Sequence, residues 1–499
     1  MKKHIIYLLS ILTLLLGSCG KDFLNVTPKD DLSGNNYWQS EQDVEQFLIG
    51  VYSAFRDATM TRIFFPATGD LRSAPINRTS ATSGEGRDYL TFLRQNLLNA
   101  TLEERFNFFG FTEITRWDAF YKMVQLANIV VYEMDQLDPE ILSQEKKAQY
   151  QAEAVFLRNV AYFFMVRLYG DVPYYTDAYH SEAIGRTDML TVLQNGIDDM
   201  AAHYQNLPWT YEDPSIVGNR AMRGSAIVLM MHMNMWIAGF TDEDSFPYYE
   251  EVAALGREIM EDNQGSYELL PLARTKEIFK GRTKEGLFEI TQNLNYGETF
   301  HQSAPFSDYV LRYPNKVTTR SFIYYDSKFM EELYPMSSTD ERKSIWFDEH
   351  IYASDGMMQM LKFSNIFMEE GEDYNPDDNQ IVFRYADAIL LRAEALAELG
   401  RDAQAREIVN VVRERAQADL AVTEVGDELK DFIWWERTRE LMGEGHFFYD
   451  LVRTRKVVNS KYTMAPINVD AFNRGAWTWP IHPDALNNNP YMTLNTYWN

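Results

Sequence analysis

Apolar residues recur every three to four positions along much of the chain, which is the spacing that places them on one face of an α-helix. The first clear example follows Ser40, where Val44, Leu48 and Val51 share a face. Ser40 is followed by acidic residues, an order that is typical of a helix N-terminus. The same spacing predicts helices over residues 113–134, 144–169, 189–206, 221–238, 385–399, 402–416 and 428–441.

Several of the predicted helices form pairs joined by a short turn. Residues 385–399 and 402–416 are separated only by Gly400-Arg401, and the small side chains of Ala393 and Ala405 allow close helix contact. This turn and the helix after it resemble a tetratricopeptide unit, in which neighbouring helix pairs stack on one another. The pattern therefore favours a large helical array.

Two long stretches lack this helical spacing. Residues 57–102 break up into Gly, Ser, Asn, Arg and Pro with scattered aromatic residues, and residues 265–380 are rich in Gly, Pro, Asn, Tyr and Asp. Loops of this length are uncommon in compact domains unless they have a function. We therefore expect ligand-binding residues in these two stretches.

The amino-terminal segment predicts export and lipid attachment. Lys2-Lys3 precedes twelve apolar or weakly polar residues, 5–16, a run shorter than the ~20 residues that a membrane-spanning helix needs. The small residues that follow, ending at Cys19, resemble a bacterial lipobox. We expect residues 1–18 to be a removed signal peptide, Cys19 to be acylated and residues 19–40 to form a lipidated tether. The alternative is ordinary signal cleavage, which would leave Cys19 as an incidental thiol.

Composition excludes some classes of function. Cys19 is the only cysteine, so no disulfide and no thiolate metal site is expected in the mature chain. The net charge of −26 at pH 7 becomes −28 when Lys2 and Lys3 are removed with the signal peptide. The strong negative charge repels phosphate backbones, and we identify no cluster of Lys and Arg that would release counterions from them, so we expect no nucleic-acid partner. Aromatic residues make up 14% of the chain, which is typical of a folded protein rather than a disordered acidic one.

A search for catalytic and metal motifs gives no specific match. No two histidines of the mature chain lie within one helical turn of each other, and phosphate-binding and dinucleotide-binding glycine motifs are absent, so we expect neither a metal nor a cofactor. Glu436, Glu440 and Glu444 are spaced four residues apart with Arg437 and Arg439 between them. They could form a catalytic or di-metal face, but we favour an internal ion network at a helix end, because the arginines neutralise the acids.

Each half of the chain contains its own set of short motifs, and the motifs follow one another along the chain in the order found in one known family. In the first half they are Asp22-Phe23-Leu24 after Cys19, Glu153-Ala154, Phe156-Leu157-Arg158, Tyr162-Phe163 and Leu168-Tyr169-Gly170-Asp171-Val172-Pro173. In the second half they are Arg384-Tyr385-Ala386-Asp387, Glu436-Arg437, Arg439-Glu440-Leu441, Glu444-Gly445-His446 and Asp450-Leu451-Val452-Arg453. Together they resemble the SusD/RagB family of surface nutrient-binding outer-membrane lipoproteins.

This resemblance implies an all-α fold, in which tetratricopeptide-like helix pairs form a superhelical scaffold with a loop-rich remainder and few short strands. It implies an amino-terminal SusD-like part over residues 41–265 and a SusD/RagB part over residues 266–499, packed as one compact unit. The expected function is non-enzymatic: the lipid-anchored protein faces the cell exterior, binds oligo- or polysaccharides and delivers them to a SusC-like TonB-dependent transporter. A RagB-like peptide receptor and a surface glycan hydrolase remain the alternatives.

Sugar recognition requires aromatic faces for the C–H groups of the ring and planar polar groups for its hydroxyls. Both residue types occur in the predicted loops. The candidate ligand-binding residues are Asp70, Arg72, Asn77, Arg78, Phe106, Phe108, Phe109, Tyr296, His301 and Tyr309. The alternative for each phenylalanine is packing beneath a loop. We expect Tyr296→Ala to lower ligand affinity with little loss of folding stability, and unchanged binding by calorimetry would remove Tyr296 from the site.

Overall fold

The computed structural model describes residues 37–60, 63–79, 87–292, 306–316, 318–363, 378–487 and 489–499. In this part of the chain, nine helices have 13 residues or more. They are α1 (Glu41–Thr59), α2 (Asp118–Gln136), α3 (Gln144–Tyr169), α4 (Met189–Ala201), α5 (Arg223–Phe240), α6 (Phe246–Glu261), α7 (Tyr385–Glu398), α8 (Asp402–Arg415) and α9 (Gly426–Glu440).

Shorter elements connect these helices. The short α-helices are Tyr89–Arg94, Leu98–Thr101, Phe111–Ile114, Thr275–Lys280, Phe306–Val310, Ser327–Leu333, Arg342–Ile345, Phe447–Arg453 and Val469–Asn473. The 3₁₀ turns are Glu104–Phe109, Tyr204–Asn206, Leu272–Arg274, Leu361–Phe363, Lys456–Val458 and Pro483–Leu486, and Pro66–Asp70 is a π-turn. The strands β1 (Ile76–Arg78), β2 (Gly286–Ile290), β3 (Ile323–Tyr325) and β4 (Gln380–Arg384) form two antiparallel pairs, β1 with β3 and β2 with β4.

Side-chain caps fix several helix starts. The Ser40 hydroxyl accepts a hydrogen bond from the Asp43 amide at 3.3 Å, and Ser143 accepts one from the Lys146 amide at 3.3 Å. Each cap satisfies an amide that has no partner inside the helix, which stabilises the helix by about 1 kcal/mol. At the other end, α3 stops at Gly170, whose φ of 73° is strained for any residue with a Cβ atom.

Consecutive helices pack against one another to form a continuous array. Helix α2 packs between α1 and α3, α3 against α4, α4 against α5, α5 against α6, and α6 against α7, while α8 and α9 both pack on α7. Helix α3 is buried on all sides from Ala152 to Tyr169, which explains its apolar pattern around the whole circumference. The turn at Gly400 joins α7 to α8 as the tetratricopeptide spacing predicts. The all-α prediction, with helix pairs and few strands, is confirmed.

Several element boundaries differ from the sequence prediction; the predicted helix over residues 113–134, for example, is divided into Phe111–Ile114 and Asp118–Gln136. Residues 57–102 contain more regular structure than the sequence pattern indicated, because α1 runs on to Thr59 and two short helices follow. The six residues of Tyr89–Arg94 bury three side chains, but so short a segment gives too few positions for its spacing to stand out. Helix α4 ends at Ala201 and is followed by a 3₁₀ turn, where one helix was predicted over residues 189–206.

The buried hydrophobic side chains form one cluster that runs from Trp38 to Ile481 and draws on nearly every helix. The methionines of α5, including Met230, Met231 and Met233, are part of it. None of the helices in the described residues combines the length and apolar character that crossing a membrane requires.

An ion network is buried where α8 and α9 meet β4. We use this name for Glu285, Asp340, Arg342, Lys362, Arg384, Arg413, Arg415, Glu436, Arg439, Glu440 and Glu444. Arg384 donates to Glu285 at 2.8 Å, to Glu440 at 2.8 Å and to Glu444 at 2.6 Å. No member side chain is more than 13% exposed. An internal network around the three glutamates is therefore present, and Arg439 belongs to it, but the expectation was wrong for Arg437, which pairs instead with Asp387 and Asp450.

The network keeps the carboxyls of Glu436 and Glu440 ionised. Burial raises the pKa of the Glu436 carboxyl, but Arg342 and Arg413 outweigh burial and lower it to about 2. The pKa of Glu440 is also held below its ordinary value, because Arg415 and its neighbouring cations overcome the effect of burial. Charges buried this deeply stabilise a fold only while all partners are present.

The π-turn Pro66–Asp70 joins the amino-terminal part to the loop after α9. Asp70 accepts hydrogen bonds from the amides of Gly443 at 3.2 Å and Gly445 at 2.7 Å. The Cα of Gly69 lies so close to the Gly445 backbone that a Cβ atom there would overlap it. Burial raises the pKa of Asp70 to about 8, while the two amides act in the opposite direction.

Candidate functional site

Strand pairing brings two of the predicted loop regions together. In the β1–β3 pair, Asn77 lies opposite Tyr324 and Arg78 lies opposite Ile323, and the Thr79 amide donates to the Phe322 carbonyl at 3.1 Å. Short helices and a 3₁₀ turn pack beside this pair. We call the resulting surface the loop face and define it by the side chains of Asn77, Arg78, Arg87, Asp88, Glu103, Arg105, Phe108, Phe109, Asp308, Tyr313 and Lys316, which are exposed or half-buried.

One aromatic ring stands out of the loop face because of a 3₁₀ turn. In such a turn side chains three residues apart share a side, so Phe106 and Phe109 both turn inward toward Tyr89, at 5.7 and 4.4 Å between ring centroids. Phe108 falls on the other side and is 70% exposed. It rests edge-on against Phe109 with the centroids 5.5 Å apart. The turn thus holds a phenyl ring at the surface on a buried aromatic base.

A chain of ion pairs runs across the same surface. Arg78 pairs with Asp88, Asp88 with Arg105 at 3.3 Å, and Arg105 with Glu103 at 2.7 Å. Pairs this exposed contribute at most about 1 kcal/mol to stability. These ion pairs therefore add little to the stability of the fold. Their guanidinium and carboxylate groups are accessible to the hydroxyls of a ligand.

A second charged group sits at the edge of the loop face, on the side of residues 308–322. The Arg87 guanidinium lies 3.7 Å from the Phe322 ring centroid and the Lys316 ammonium lies 3.6 Å from it. Asp308 is within 3.8 Å of Arg87 and 2.5 Å of Lys316. Burial lowers the pKa of Lys316, and Asp308 opposes this effect. Tyr313, on the same loop, is 66% exposed.

Two buried tyrosines fix the base of the loop face. The hydroxyls of Tyr89 and Tyr309 are 3.3 Å apart. Burial raises the pKa of both phenols, that of Tyr89 to about 12, so both remain protonated at physiological pH and either hydroxyl can donate to the other. This contact ties residues 87–110 to residues 306–325. The loop face is therefore supported from beneath.

The structure gathers six of the ten predicted ligand residues around the loop face: Asn77, Arg78, Phe106, Phe108, Phe109 and Tyr309. Of these, Phe106 and Tyr309 are buried and support the surface, and packing beneath a loop was the alternative stated for Phe106. Asn77 is half-buried and accepts a hydrogen bond from Arg94 at 2.9 Å. Arg78 and Phe108 are exposed, and Phe109 is half-buried.

The remaining predicted ligand residues lie apart from the loop face or outside the described residues. Asp70 is buried against Gly443 and Gly445. Arg72 is buried, donates to the carbonyls of Ala476 and Thr478, and stacks 4.1 Å from the Phe448 ring. These contacts favour a structural role for Asp70 and Arg72. Tyr296 and His301 lie outside the described residues.

Sequence reasoning did not single out several residues of the loop face. These are Arg87, Asp88, Arg105, Tyr313 and Lys316. Tyr313 lies in a Tyr-Pro-Asn turn, and this turn signal was available in the sequence. The others are recognisable only after strand pairing places two distant loops side by side.

A separate cleft of about 710 Å³ lies between α5, α7, α9 and the segment after residue 453. Its charged side chains pair with one another, Arg453 with Glu394 at 2.5 Å and Lys430 with Glu398 at 2.8 Å. Trp434 in its wall is 2% exposed and is covered by Tyr462 at 4.8 Å. Of the other aromatic rings in the cleft, Tyr462 is buried and Tyr249 is half-buried, whereas the loop face presents the exposed ring of Phe108.

One group of three buried side chains in the described residues has the composition of a metal site: His232, Asp387 and His446. His232 Nε2 lies 2.6 Å from Asp387, and the two imidazole rings are stacked at 5.6 Å. Arg437 is 2.9 Å from the same carboxylate, so a bound cation would meet a fixed positive charge. Burial lowers the pKa of His446 to about 4. The arrangement is that of a buried ion pair between Arg437 and Asp387, with His232 hydrogen-bonded to the carboxylate.

Comparison with known proteins identifies the family. A model of the SusD family matches residues 296–498, and a model described as starch-binding associating with outer membrane matches residues 22–230. Among curated proteins, the SusD-like protein P38 of Formosa agariphila is 27% identical over 98% of both chains. A SusD-like protein of Bacteroides ovatus is 23% identical over 88% of this chain and 80% of its own length.

Solved structures agree with this assignment. A SusD homologue from Bacteroides thetaiotaomicron is 42% identical, with a TM-score of 0.84, over 93% of this chain and all of its own. A laminarin-binding SusD-like protein shares the fold at a TM-score of 0.70, 21% identity, and coverage of 92% of this chain and 99% of its own. The resemblance predicted from the sequence motifs is thus confirmed, and this chain belongs to the SusD family.

Proposed function

We propose that this protein is a non-catalytic cell-surface receptor, which binds oligosaccharides on its loop face and passes them to a SusC-like TonB-dependent transporter. The observation that carries the proposal is the exposed Phe108 ring next to the ion pairs of Arg78, Asp88 and Arg105. A phenyl ring can stack on the C–H face of a sugar, while guanidinium and carboxylate groups bind its hydroxyls. The relative that is named as laminarin-binding supports a saccharide as the ligand class.

A binding role also fits the carboxylates of the loop face. Asp88 is held between two arginines, and Asp308 contacts Arg87 and Lys316. A glycosidase needs one carboxyl that stays protonated as the general acid and a second placed across the scissile bond. The carboxylates of Asp88 and Asp308 are instead held in ion pairs at the surface, where their oxygens can accept hydrogen bonds from the hydroxyls of a ligand.

The proposed location is the outer membrane, with an acyl chain on Cys19 as the anchor and residues 19–40 as the tether. The family model described as associating with outer membrane supports this location. Several acyl chains are needed for stable anchoring, since one chain binds a bilayer only marginally. Mass spectrometry of the mature amino terminus is expected to show an acylated Cys19. An unmodified amino terminus on protein released into the medium would contradict the anchor.

The ligand proposal is tested with an array that carries both glycans and peptides, followed by calorimetry on the best ligand. Phe108→Ala is expected to lower glycan affinity about twofold to thirteenfold, because a lost aromatic stack is worth ~0.5–1.5 kcal/mol. Phe246→Ala is the matched control, since Phe246 is 53% exposed at the start of α6. Equal binding by both variants would remove Phe108 from the site.

The array and two further assays distinguish the proposed receptor from a peptide receptor and from a hydrolase, and test the delivery step. Binding to peptides without binding to glycans would replace the proposal with a peptide receptor. Release of shorter sugars from an incubated glycan, lost in an Asp88→Asn variant, would show a hydrolase instead. Co-purification with a TonB-dependent transporter from solubilised outer membranes is expected for the delivery step, and a receptor that purifies alone under mild detergent would contradict it.

A further inference from the structure

An irregular segment after α3 lies on the surface of α2 and is held there by side chains. Residues 173–180 form no helix or strand. Side chains of α2 donate hydrogen bonds to three of its carbonyls: Tyr121 to Pro173 at 2.6 Å, Asn128 to Asp177 at 3.3 Å, and Gln125 to Ala178. From α3, the Tyr162 hydroxyl donates to the Tyr175 carbonyl at 2.7 Å and accepts from the Tyr175 amide at 3.0 Å. The backbone of this segment is therefore fixed, and its side chains are preorganised.

Three aromatic rings stack in a column between α2 and this segment. The ring of Tyr121 lies 5.9 Å from that of Tyr175, with their planes 11° apart. The ring of Tyr175 lies 4.3 Å from that of His180, with their planes 17° apart. All three residues are half-buried. Stacked aromatic pairs have a preferred geometry, so the column adds to the rigidity of the segment.

Two tyrosine rings are exposed at this place. Tyr179 of the segment is 60% exposed and Tyr132 of α2 is 47% exposed. Their rings meet edge to face, with the centroids 5.8 Å apart and 80° between the planes. The Tyr179 hydroxyl donates to Glu133 at 2.9 Å, which fixes the direction of its ring. We call Tyr132, Glu133, Asp177, Tyr179 and His180 the tyrosine platform.

The chemistry of the tyrosine platform suits a neutral sugar. The two phenol rings can stack on the C–H groups of a sugar, and their hydroxyls can exchange hydrogen bonds with sugar hydroxyls. The Asp177 side chain is 81% exposed, 3.7 Å from His180, and offers a further acceptor. The carboxylates of Glu133 and Asp177 disfavour a sulfated or uronate sugar, because like charges repel.

The size of the tyrosine platform favours a saccharide over a protein partner. Within residues 113–187, all of which the structure describes, Tyr132 and Tyr179 are the only large hydrophobic side chains that are exposed. A stable protein interface buries about 800 Å² on each partner, which is several times the area of two rings. A sugar unit, in contrast, needs only one or two aromatic faces.

We propose that the tyrosine platform is a second saccharide site, which binds units of a neutral polysaccharide outside the stretch that is held at the loop face. It shares no residue with the loop face, which is built on the β1–β3 pair. The choice of a saccharide rests on the proposed function, whereas the site rests on two exposed rings carried by a fixed segment. A polymer that reaches both sites binds more tightly than a fragment that fills one, since the second contact is then intramolecular.

The test is calorimetry on the full-length mature protein, with the best neutral glycan of the array as a polymer and as a short fragment. The unmodified protein is expected to bind two fragments, and Tyr132→Ala/Tyr179→Ala is expected to bind one. The same variant is expected to lose about tenfold in affinity for the polymer, because the second contact is gone.

Two control variants accompany the test. Tyr132→Phe/Tyr179→Phe keeps both rings and is expected to retain two bound fragments and most of the polymer affinity. Phe246→Ala removes a ring that is 53% exposed at the start of α6 and is expected to change neither value.

The outcomes separate this site from the loop face. Two bound fragments and full polymer affinity in Tyr132→Ala/Tyr179→Ala would overturn the second site. Unchanged glycan binding together with lost co-purification of the transporter would assign the tyrosine platform to a protein contact instead. Loss of all binding in this variant, with Phe108→Ala unaffected, would support the tyrosine platform and contradict the loop face. Binding of acidic glycans alone would overturn the assignment to a neutral sugar.

Discussion

The ion network and the loop face are both rich in charged side chains, yet they differ in exposure. In the ion network, Arg384 contacts three glutamates and is 2% exposed, whereas Arg105 of the loop face is 44% exposed next to Glu103. Charges of the first kind cannot exchange their partners without a large cost in free energy. Charges of the second kind exchange partners with water readily.

This difference separates the scaffold from the ligand surface. The ion network contains the motifs of the carboxy-terminal half, including Arg384, Glu440 and Glu444, and ties β4 to the loop after α9. It specifies how the helices and loops fit together. The loop face contains few of these motifs, and its exposed side chains are free to differ between relatives without disturbing the fold.

The largest expected effect is on the ion network. Arg384→Met should lower the free energy of unfolding by about 3–5 kcal/mol, because it leaves Glu440 and Glu444 buried without one of their cations. Arg78→Met on the loop face is the matched control and should cost about 1 kcal/mol or less. Urea denaturation of both variants measures the contrast. Similar losses in the two variants would abolish the distinction between the regions.

The second-largest effect on stability is expected at Gly69, which lies where the amino-terminal part contacts the loop after α9. Gly69→Ala places a methyl group against the Gly445 backbone and should lower the free energy of unfolding by about 1–3 kcal/mol. Gly50→Ala is its control, since Gly50 lies in α1 with open space at its Cβ position. There alanine should stabilise the protein by about 0.4–1 kcal/mol. Thermal unfolding measures the change in melting temperature of each variant. Changes in the same direction for Gly69→Ala and Gly50→Ala would contradict the close backbone contact at Gly69.

Acid should weaken the ion network in a defined pH window. The pKa of Glu436 is lowered to about 2 in the folded protein from an ordinary value of 4.5, as Arg342 and Arg413 outweigh its burial. Its contribution is therefore fully present above about pH 4.5 and is lost as the pH falls toward 2. Glu436→Gln should reduce the slope of stability against pH in this window by up to about 1.4 kcal/mol per pH unit. Denaturation at several pH values measures it, and an unchanged slope would contradict this account of the network.

The smallest effect on stability is expected at the loop face itself. Arg78→Gln should change the free energy of unfolding by less than about 1 kcal/mol, because its pair with Asp88 is exposed. The same change should weaken glycan binding measurably, since it removes a donor for sugar hydroxyls. Calorimetry and urea denaturation on one preparation give both values. A large loss of stability without loss of binding would assign Arg78 to the scaffold.

The scaffold was largely predictable from sequence because its signals are local. Helix α3 was predicted over residues 144–169 and occupies those residues, since a serine cap and a terminal glycine mark its ends. The internal ion network was predicted from three glutamates on one helical stretch, although the sequence could not show that Arg342 and Lys362 complete it. Those partners come from segments about 80 to 100 residues away.

The ligand surface was less predictable because burial depends on distant contacts. Asp70 and Arg72 lie in a loop-like sequence, but their partners are about 370 to 410 residues away, at Gly445 and Ala476. Phe106 and Phe108 look alike in the sequence, and only the register of one 3₁₀ turn buries the first and exposes the second. The role of Tyr296 stays a prediction.

Hydrogen–deuterium exchange with and without the best glycan from the array tests the central claim most directly. The expected result is ligand-induced protection in residues 76–79, 87–110 and 306–325, with no change at β4 and α9, where the ion network lies. Protection confined to the network or to the 710 Å³ cleft, with the loop face unchanged, would contradict the account.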